Sequence, residues 1–247
     1  MEEAKRILYG RRRGRKLRDG QQALLDNVVP GLEIPPGPPS HPVDPRALFD
    51  RPVREVWLEV GFGAGEHLLA QAAANRDVGL IGCEPYVTGV VRMVRGLREA
   101  RLDNIRIWRD DARLLVDRLV DGSLARVFVL FPDPWPKTRH RKRRFVSAPV
   151  LERLAAVMRD DAELRLATDD TGYLVWILAH LWRSESFAWT AREPSDWRRR
   201  PPDWPATRYE RKALEQGRSC TYLRYRRQPR GQGHRATAPA GRPVAGA

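Results

Sequence analysis

The chain has 247 residues and a formal net charge of +14 at pH 7, with 45 Lys and Arg residues against 31 Asp and Glu residues. That length is enough for one large domain with appendages, and the excess positive charge points to a polyanionic partner such as nucleic acid or an anionic membrane surface. No run reaches the roughly 18 apolar residues of a transmembrane helix, and the amino terminus lacks the apolar core of a signal peptide, so we expect a soluble, cytoplasmic protein.

The first part of the chain is basic and then rich in proline. Residues 1–20 are too polar to pack, and they are either a solvated tail or an arm that contacts phosphates. We favour the arm because the whole chain is basic. Gln21–Leu32 could form a short helix, and Ile34–Pro42 is interpreted as an extended connector. We therefore expect residues 1–46 to be an arm and connector that precede the core domain.

From Val53 onward, strand and helix patterns alternate, which is typical of a parallel sheet with helices on both faces. The predicted strands are Val56–Val60, Val78–Glu84, Ile105–Trp108, Ala125–Phe131 and Ala162–Ala167. The predicted helices are Glu66–Ala74, Val87–Ala100, Ala112–Leu119, Val146–Met158 and Thr171–Trp182. Cys220–Arg226 alternates as an antiparallel edge strand would. The core domain is predicted to span residues 47–227, and residues 228–247, rich in Gly, Pro, Ala and Arg, are predicted to be disordered.

A glycine turn follows the first predicted strand. Glu59 is followed by Gly61, Gly63 and Gly65 at alternate positions, which permits positive φ and lets a ligand approach the backbone. The spacing is neither that of a dinucleotide-binding turn nor that of a P-loop. The Glu59 carboxylate would repel a pyrophosphate but attract the ammonium group of an amino acid, which favours S-adenosylmethionine over NAD or ATP. A glycine-rich turn that binds no ligand is the alternative.

Further acids follow the next two predicted strands. Glu84 ends the second strand and could accept hydrogen bonds from ribose hydroxyls, or it could simply favour the following helix N-terminus. Asp111 follows the third strand and could accept from an adenine amino group, or it could cap a helix. Because the carboxyl ends of parallel strands meet at one sheet edge, the three acids together favour an adenosine site over three unrelated caps.

The segment Phe131–Lys137 after the fourth predicted strand has three prolines at alternate positions. These prolines stiffen the loop, so Asp133 and Trp135 would point in fixed directions and could hold a flat base such as guanine. The basic run Arg139–Arg144 would then lie on phosphates. The alternatives are a solvated basic face and a tryptophan that only packs.

These segments together resemble the bacterial tRNA (guanine-N7-)-methyltransferase family. The shared motifs are E-x-G-x-G-x-G at Glu59–Gly65, F-P-D-P-W-x-K at Phe131–Lys137, R-H-x-K-R-R at Arg139–Arg144, A-T-D at Ala167–Asp169 and T-[RK]-[FY]-E at Thr207–Glu210. The resemblance covers roughly residues 50–227. It implies a Rossmann-like class I methyltransferase fold, with a mostly parallel seven-stranded sheet, helices on both faces and an antiparallel edge strand. It also implies methyl transfer from S-adenosylmethionine to N7 of a guanine at position 46, in the variable loop of tRNA.

The resemblance also implies roles for single residues. The implied cofactor-binding residues are Glu59, Gly61, Gly63, Gly65, Glu84, Asp111 and Asp133. Asp133 is the implied catalytic residue. The implied substrate-binding residues are Lys137, Asp169, Thr207, Arg208, Tyr209 and Glu210. The last four could equally begin a helix with a capping box. Asp170 is an additional acid without an implied role.

Two other functions remain open at this point. One is a methyltransferase that acts on another RNA position, and the other is a basic RNA-binding protein without catalysis. We expect no metal, because the five histidines are scattered without ligand spacing and the two cysteines, Cys83 and Cys220, cannot complete a zinc site. The cysteines are expected to be reduced. The sequence leaves the choice between monomer and homodimer open.

Overall fold

The computed structural model describes Arg12, Gly14, residues 16–38 and residues 40–231. Within that part of the chain, seven strands form one sheet. They are β1 (Glu55–Val60), β2 (Val78–Cys83), β3 (Ile105–Trp108), β4 (Leu124–Leu130), β5 (Met158–Thr168), β6 (Phe187–Trp189) and β7 (Thr221–Arg227). The helices are α1 (Asp19–Asn27), α2 (Glu66–Ala74), α3 (Val87–Glu99), α4 (Ala112–Val116), α5 (Ala148–Val157), α6 (Thr171–Trp182), α7 (Ser195–Arg198) and α8 (Arg208–Glu215). Short 3₁₀ turns cover Val29–Gly31, Pro45–Leu48 and Thr138–Arg143.

The strand order is β3-β2-β1-β4-β5-β7-β6. Strands β1 to β5 are parallel, and β7 is antiparallel to both of its neighbours. The predicted mostly parallel sheet of seven strands, with helices on both faces, is confirmed. The antiparallel strand at Cys220–Arg226 is also present as β7, but the outermost position belongs to β6. That three-residue strand is too short to produce a recognisable alternation in the sequence.

Two apolar layers lie on opposite faces of the sheet because successive strand side chains point to opposite sides. Leu58 belongs to one core cluster, together with side chains of α5 and α6. Its neighbour Trp57 belongs to the other cluster, together with side chains of α2 and α3. All six residues of β2 are buried, as expected for a parallel strand covered on both faces. The sheet therefore presents a single edge at the carboxyl ends of β1 to β4, where the following loops meet.

Three predicted boundaries differ from the structure by three residues or more. The predicted helix Gln21–Leu32 ends at Asn27 as α1, and a 3₁₀ turn follows at Val29–Gly31. Helix α4 ends at Val116 rather than at Leu119, because Leu119 leaves the helix and forms a bridge with Val43. Strand β5 begins at Met158, earlier than predicted, and its pairing with β4 is irregular before Arg126. Near this irregularity Asp161 has a φ of +63°.

The segment before the core domain is partly packed against it. Val29 and Ile34 are fully buried, and the Ile34 N–H donates to the carbonyl of Ile107 at 2.8 Å. The Arg12 guanidinium donates to Asp110 at 2.7 Å. Most of the predicted basic arm, and residues 232–247 of the predicted tail, lie outside the described residues, so the boundaries of the three predicted segments stay predictions.

Each helix that the structure describes falls short of the length and apolarity needed to span a bilayer. Cys83 and Cys220 are both buried and free, and burial raises the pKa of each thiol. In the described parts of the chain, no group of three or more His, Cys, Asp or Glu residues is placed to hold a metal ion.

Candidate active site

The turn between β1 and α2 has the backbone conformation that its glycines predict. Gly61, Gly63 and Gly65 have φ values of +74°, +58° and +84°, a region that residues with side chains rarely adopt. A Cβ atom on Gly65 would lie 2.3 Å from Cγ of Met93, whereas one on Gly61 or Gly63 would meet nothing within 4 Å. Gly65 therefore lets α3 pack against the turn, and the other two glycines leave open space in front of the backbone.

Two adjoining clefts lie at this edge of the sheet. The glycine cleft, of 520 Å³, is lined by residues that include Glu59, Gly61, Gly63, Asp133 and Tyr209. The acidic cleft, of 420 Å³, is lined by residues that include Gly61, Glu84, Asp111, Asp133 and Trp135. The clefts share Gly61, Phe131 and Asp133. The implied cofactor acids are thus divided between two compartments that meet at Asp133.

A buried hydrogen-bond chain holds the Glu59 carboxylate. Nδ1 of His67 lies 2.7 Å from Oε2 of Glu59, and both side chains are buried. Nε2 of Gln71 donates to the carbonyl of Asp203 at 2.7 Å and lies 3.4 Å from Nε2 of His67. Because the Gln71 amide nitrogen is a donor, Nε2 of His67 accepts and the Nδ1–H group donates to Glu59. His67 was not predicted as a site residue, because a single histidine after a glycine turn has no distinctive pattern.

The Glu84 carboxylate ties the glycine turn to the end of β2. One oxygen accepts from the N–H of Gly63 at 2.8 Å and the other from the N–H of Tyr86 at 2.9 Å. Burial raises the pKa of Glu84, and the two backbone hydrogen bonds oppose that change. Glu84 therefore fixes the turn, and it also lines the acidic cleft, where each carboxylate oxygen retains a second lone pair.

Asp111 caps α4, as the structural alternative predicted. Its carboxylate accepts from the backbone N–H of Arg113 at 2.9 Å and binds the Arg113 guanidinium with both oxygens. The Asp111 side chain is buried and lines the acidic cleft. Its contact with adenine stays a prediction, because Arg113 already occupies both carboxylate oxygens.

The proline loop, residues 131–137, has an unusual backbone. Phe131 and Trp135 have φ values of +49° and +44°, although neither is glycine. Such conformations persist only where surrounding contacts hold them, and they cluster at functional sites. Asp133 is exposed, and its carboxylate has no hydrogen-bond partner within residues 12–231 as described. The Trp135 indole is covered on one side by the Arg143 guanidinium, 4.8 Å from the ring centroid.

The Arg144 side chain links the proline loop to α6. Its side chain is only 4% exposed, and Nε donates to the carbonyl of Pro134 at 2.8 Å. The guanidinium lies 5.0 Å from the ring centroids of Tyr173 and Trp176 on α6. The last arginine of the predicted phosphate-binding run is therefore a buried structural group. Arg139, which begins that run, and Lys137, which ends the proline loop, are exposed.

The implied substrate motif at the start of α8 serves two purposes. Thr207, Arg208 and Tyr209 line the glycine cleft, and the Tyr209 ring is 47% exposed beside Phe131. Glu210 is buried and completes a capping box with Thr207, with hydrogen bonds of 3.2 and 3.3 Å. The capping alternative is therefore realised, and the motif also faces the cleft.

Contacts within the protein engage three acids near this motif. Glu210 accepts a hydrogen bond from the Tyr222 hydroxyl and pairs with Arg200. Asp169 is 5% exposed and pairs with Arg218, and it lines neither cleft. Asp170, for which the resemblance implied no role, caps α6 through a 2.6 Å hydrogen bond from the N–H of Tyr173. Substrate contacts by Asp169 and Glu210 stay predictions.

Two basic residues of the glycine cleft were not predicted. Arg92 on α3 and Lys212 on α8 line the same opening as Asp133 and Tyr209. Each belongs to a helix with other exposed basic residues, so no local pattern distinguishes these two.

The chain is similar to known methyltransferases in sequence and in fold. The profile of a family described as putative methyltransferase matches residues 53–223. A tRNA (guanine-N(7)-)-methyltransferase of Rhodospirillum rubrum is 50% identical over 237 residues, which cover 94% of this chain and 93% of that protein. One of Nitrobacter hamburgensis is 46% identical, covering 89% and 86%. Among solved structures, the 16S rRNA methyltransferase KamB superposes with a TM-score of 0.51 at 16% identity, covering 74% of this chain and 91% of its own, which supports the fold alone.

Proposed function

Since this chain belongs to the tRNA (guanine-N7-)-methyltransferase family, we propose that it methylates N7 of a guanine in tRNA, at position 46 of the variable loop. The observation that carries the proposal is the position of Asp133. Its exposed carboxylate lies on a stiff loop where the glycine cleft and the acidic cleft meet. A methyl donor in these clefts and a base at the mouth would both reach this group.

The residues present fit S-adenosylmethionine as the donor. Gly61 and Gly63 leave open space along the backbone, which a Cβ would fill. Glu59 would accept from the amino acid ammonium group, and Glu84 would accept from the ribose hydroxyls. The acidic cleft beyond Glu84 would take the adenine. When bound, this cofactor supplies an electrophilic methyl group on a sulfonium centre.

The protein does not have to remove a proton from guanine before methyl transfer. Guanine N7 has an in-plane lone pair and carries no hydrogen, so a general base is unnecessary for its attack. Positive charge then develops on the imidazole part of the purine, and the Asp133 carboxylate stabilises that charge. The remaining contribution of the protein is orientation, which the proline loop and its Arg144 anchor provide.

We assign stacking of the target base to Tyr209 rather than to Trp135. Tyr209 lines the glycine cleft with a half-exposed ring, whereas Arg143 covers one side of Trp135. Stacking of a base on an aromatic side chain is typically worth about 1–3 kcal/mol. Lys137, exposed at the end of the same loop as Asp133, would contact the backbone of the tRNA.

The direct test incubates the protein with labelled S-adenosylmethionine and unmodified tRNA, followed by digestion and identification of the methylated nucleoside. We expect 7-methylguanosine, and mapping of the label should place it at position 46. Another methylated nucleoside would favour a methyltransferase with a different target. Absence of cofactor binding by calorimetry would favour a binding protein without catalysis.

The catalytic assignment is tested by Asp133→Asn. We expect kcat to fall by about 10²–10³-fold, as when a group that stabilises transition-state charge is removed, with little change in tRNA affinity. Asp26→Asn, at an exposed carboxylate of α1, is the matched control and should retain kcat. Wild-type turnover by the Asp133→Asn variant would contradict the assignment.

A further inference from the structure

Three cations surround the opening of the glycine cleft. Arg92 comes from α3, whereas Arg208 and Lys212 come from α8, and all three are exposed. The two helices are separated by residues 100–207 of the chain, so the sequence could not show that their basic residues line one cleft. They lie at the same opening as Asp133 and Tyr209.

Three carboxylates, of Glu59, Glu66 and Asp133, line the same cleft. Glu59 is bound by His67, and the Glu66 carboxylate accepts from the backbone N–H of Arg208. Among the described residues, neither Arg92 nor Lys212 has a salt-bridge partner. Two exposed cations without an ion-pair partner at one opening can each bind an anion that arrives from solvent.

We propose that Arg92 and Lys212 form a binding site for RNA phosphodiester groups next to the target guanosine. The site rests on the proposed function, because the base assigned to Asp133 and Tyr209 is joined to its phosphates through one ribose. A nucleotide whose base enters this cleft therefore brings its phosphates to the rim. The arginine can bind phosphate oxygens with two donors, and the lysine contributes a mobile point charge.

One other anion could occupy the same place, namely the carboxylate of the cofactor's amino acid. That group supplies one anion, whereas a nucleotide within an RNA chain brings a phosphodiester on each side of its ribose, and two unpaired cations line the opening. The exposed positions of Arg92 and Lys212 also favour a ligand that arrives from solvent. We therefore commit to the phosphodiester and make the carboxylate an outcome of the test.

The experiment compares two double variants that remove the same charge from the same helices. Arg92→Gln with Lys212→Gln removes the proposed site. Arg95→Gln with Arg211→Gln removes two exposed cations of α3 and α8 that line neither cleft. The equilibrium affinity for tRNA is measured over a series of salt concentrations, and cofactor affinity is measured by calorimetry without tRNA.

Loss of each phosphate contact should reduce the slope of log affinity against log salt by about 0.7–0.9. We expect the Arg92 and Lys212 pair to lower the slope by roughly twice that amount, with cofactor affinity unchanged, and the control pair to change the slope less. Arg92→Lys with Lys212→Arg keeps both charges and should keep the slope. Equal slopes for the two neutral pairs would overturn the proposal, as would a loss of cofactor affinity with unchanged tRNA binding.

These readouts separate the site from the proposed function. Binding of tRNA is measured without turnover, so it reports on the cations even if the methylated nucleoside is not 7-methylguanosine. Conversely, a wild-type protein that produces 7-methylguanosine while the two neutral pairs behave alike would retain the proposed function and lose the phosphodiester site.

Discussion

Replacement of single glycines in the β1–α2 turn should separate stability from binding. Gly65→Ala places a side chain at a φ of +84° and a Cβ atom 2.3 Å from Cγ of Met93. The left-handed conformation costs about 1–2 kcal/mol for a residue with a Cβ atom. Overpacking of a filled site adds about 1–3 kcal/mol. We therefore expect Gly65→Ala to lower the free energy of unfolding by about 2–5 kcal/mol.

Gly63→Ala is the matched control. Its φ of +58° carries the same conformational cost, but the new Cβ would meet nothing within 4 Å. Its loss of stability should therefore stay near 1–2 kcal/mol, roughly the conformational cost alone. Because its methyl group would project into the open space of the cleft, cofactor affinity should fall more than for Gly65→Ala.

Both quantities can be measured directly. Urea unfolding followed by the fluorescence of the eight tryptophans gives the free energy of unfolding, and calorimetry gives cofactor affinity for the folded variants. The reasoning would be refuted if Gly63→Ala were as unstable as Gly65→Ala, or if Gly65→Ala unfolded at the wild-type urea concentration.

Three further outcomes are expected. Burial raises the pKa of Glu84 above its usual 4.5, so the fold holds that proton at a pH where the unfolded chain has lost it. The contribution of Glu84 to stability is therefore greatest at low pH and is lost as pH rises through the raised pKa. Glu84→Gln should flatten this part of a plot of unfolding free energy against pH. Arg144→Lys should lower kcat while tRNA affinity is retained, because lysine cannot reproduce the contact with the proline loop, whereas Arg141→Lys, at an exposed position, should leave kcat unchanged. His67→Leu removes the donor to Glu59 and should raise the KM for S-adenosylmethionine at nearly constant kcat, whereas His67→Asn, whose amide can replace the Nδ1–H donor, should restore it.

The sequence alone was enough to predict the sheet and the edge of the sheet at which the clefts lie. Alternating strand and helix patterns predicted the parallel order, and the glycine spacing predicted the backbone conformation of the turn. Acids that follow successive parallel strands must lie at one edge, which is why Glu59, Glu84 and Asp111 were found close to that turn. The loop that carries Asp133 also lies at this edge, and the stiffness that its prolines predict stays a prediction.

Other features depend on contacts between distant segments, which local patterns do not report. His67 matters through its hydrogen bond to Glu59, and Arg92 and Lys212 line one cleft only in the folded chain. A motif also does not reveal which of its members point inward. Arg144 and Glu210 belong to motifs of the family resemblance, yet both are buried and hold neighbouring backbone or side chains in place.

The strained backbone at Phe131 and Trp135 bears on the free energy of tRNA binding. A flexible loop would have to be ordered again each time a nucleotide arrived, and that ordering would reduce the affinity for tRNA. In this structure the unfavourable torsions form when the chain folds and Arg144 packs against α6. A loop that keeps this shape would meet a guest base with a carboxylate that is already oriented.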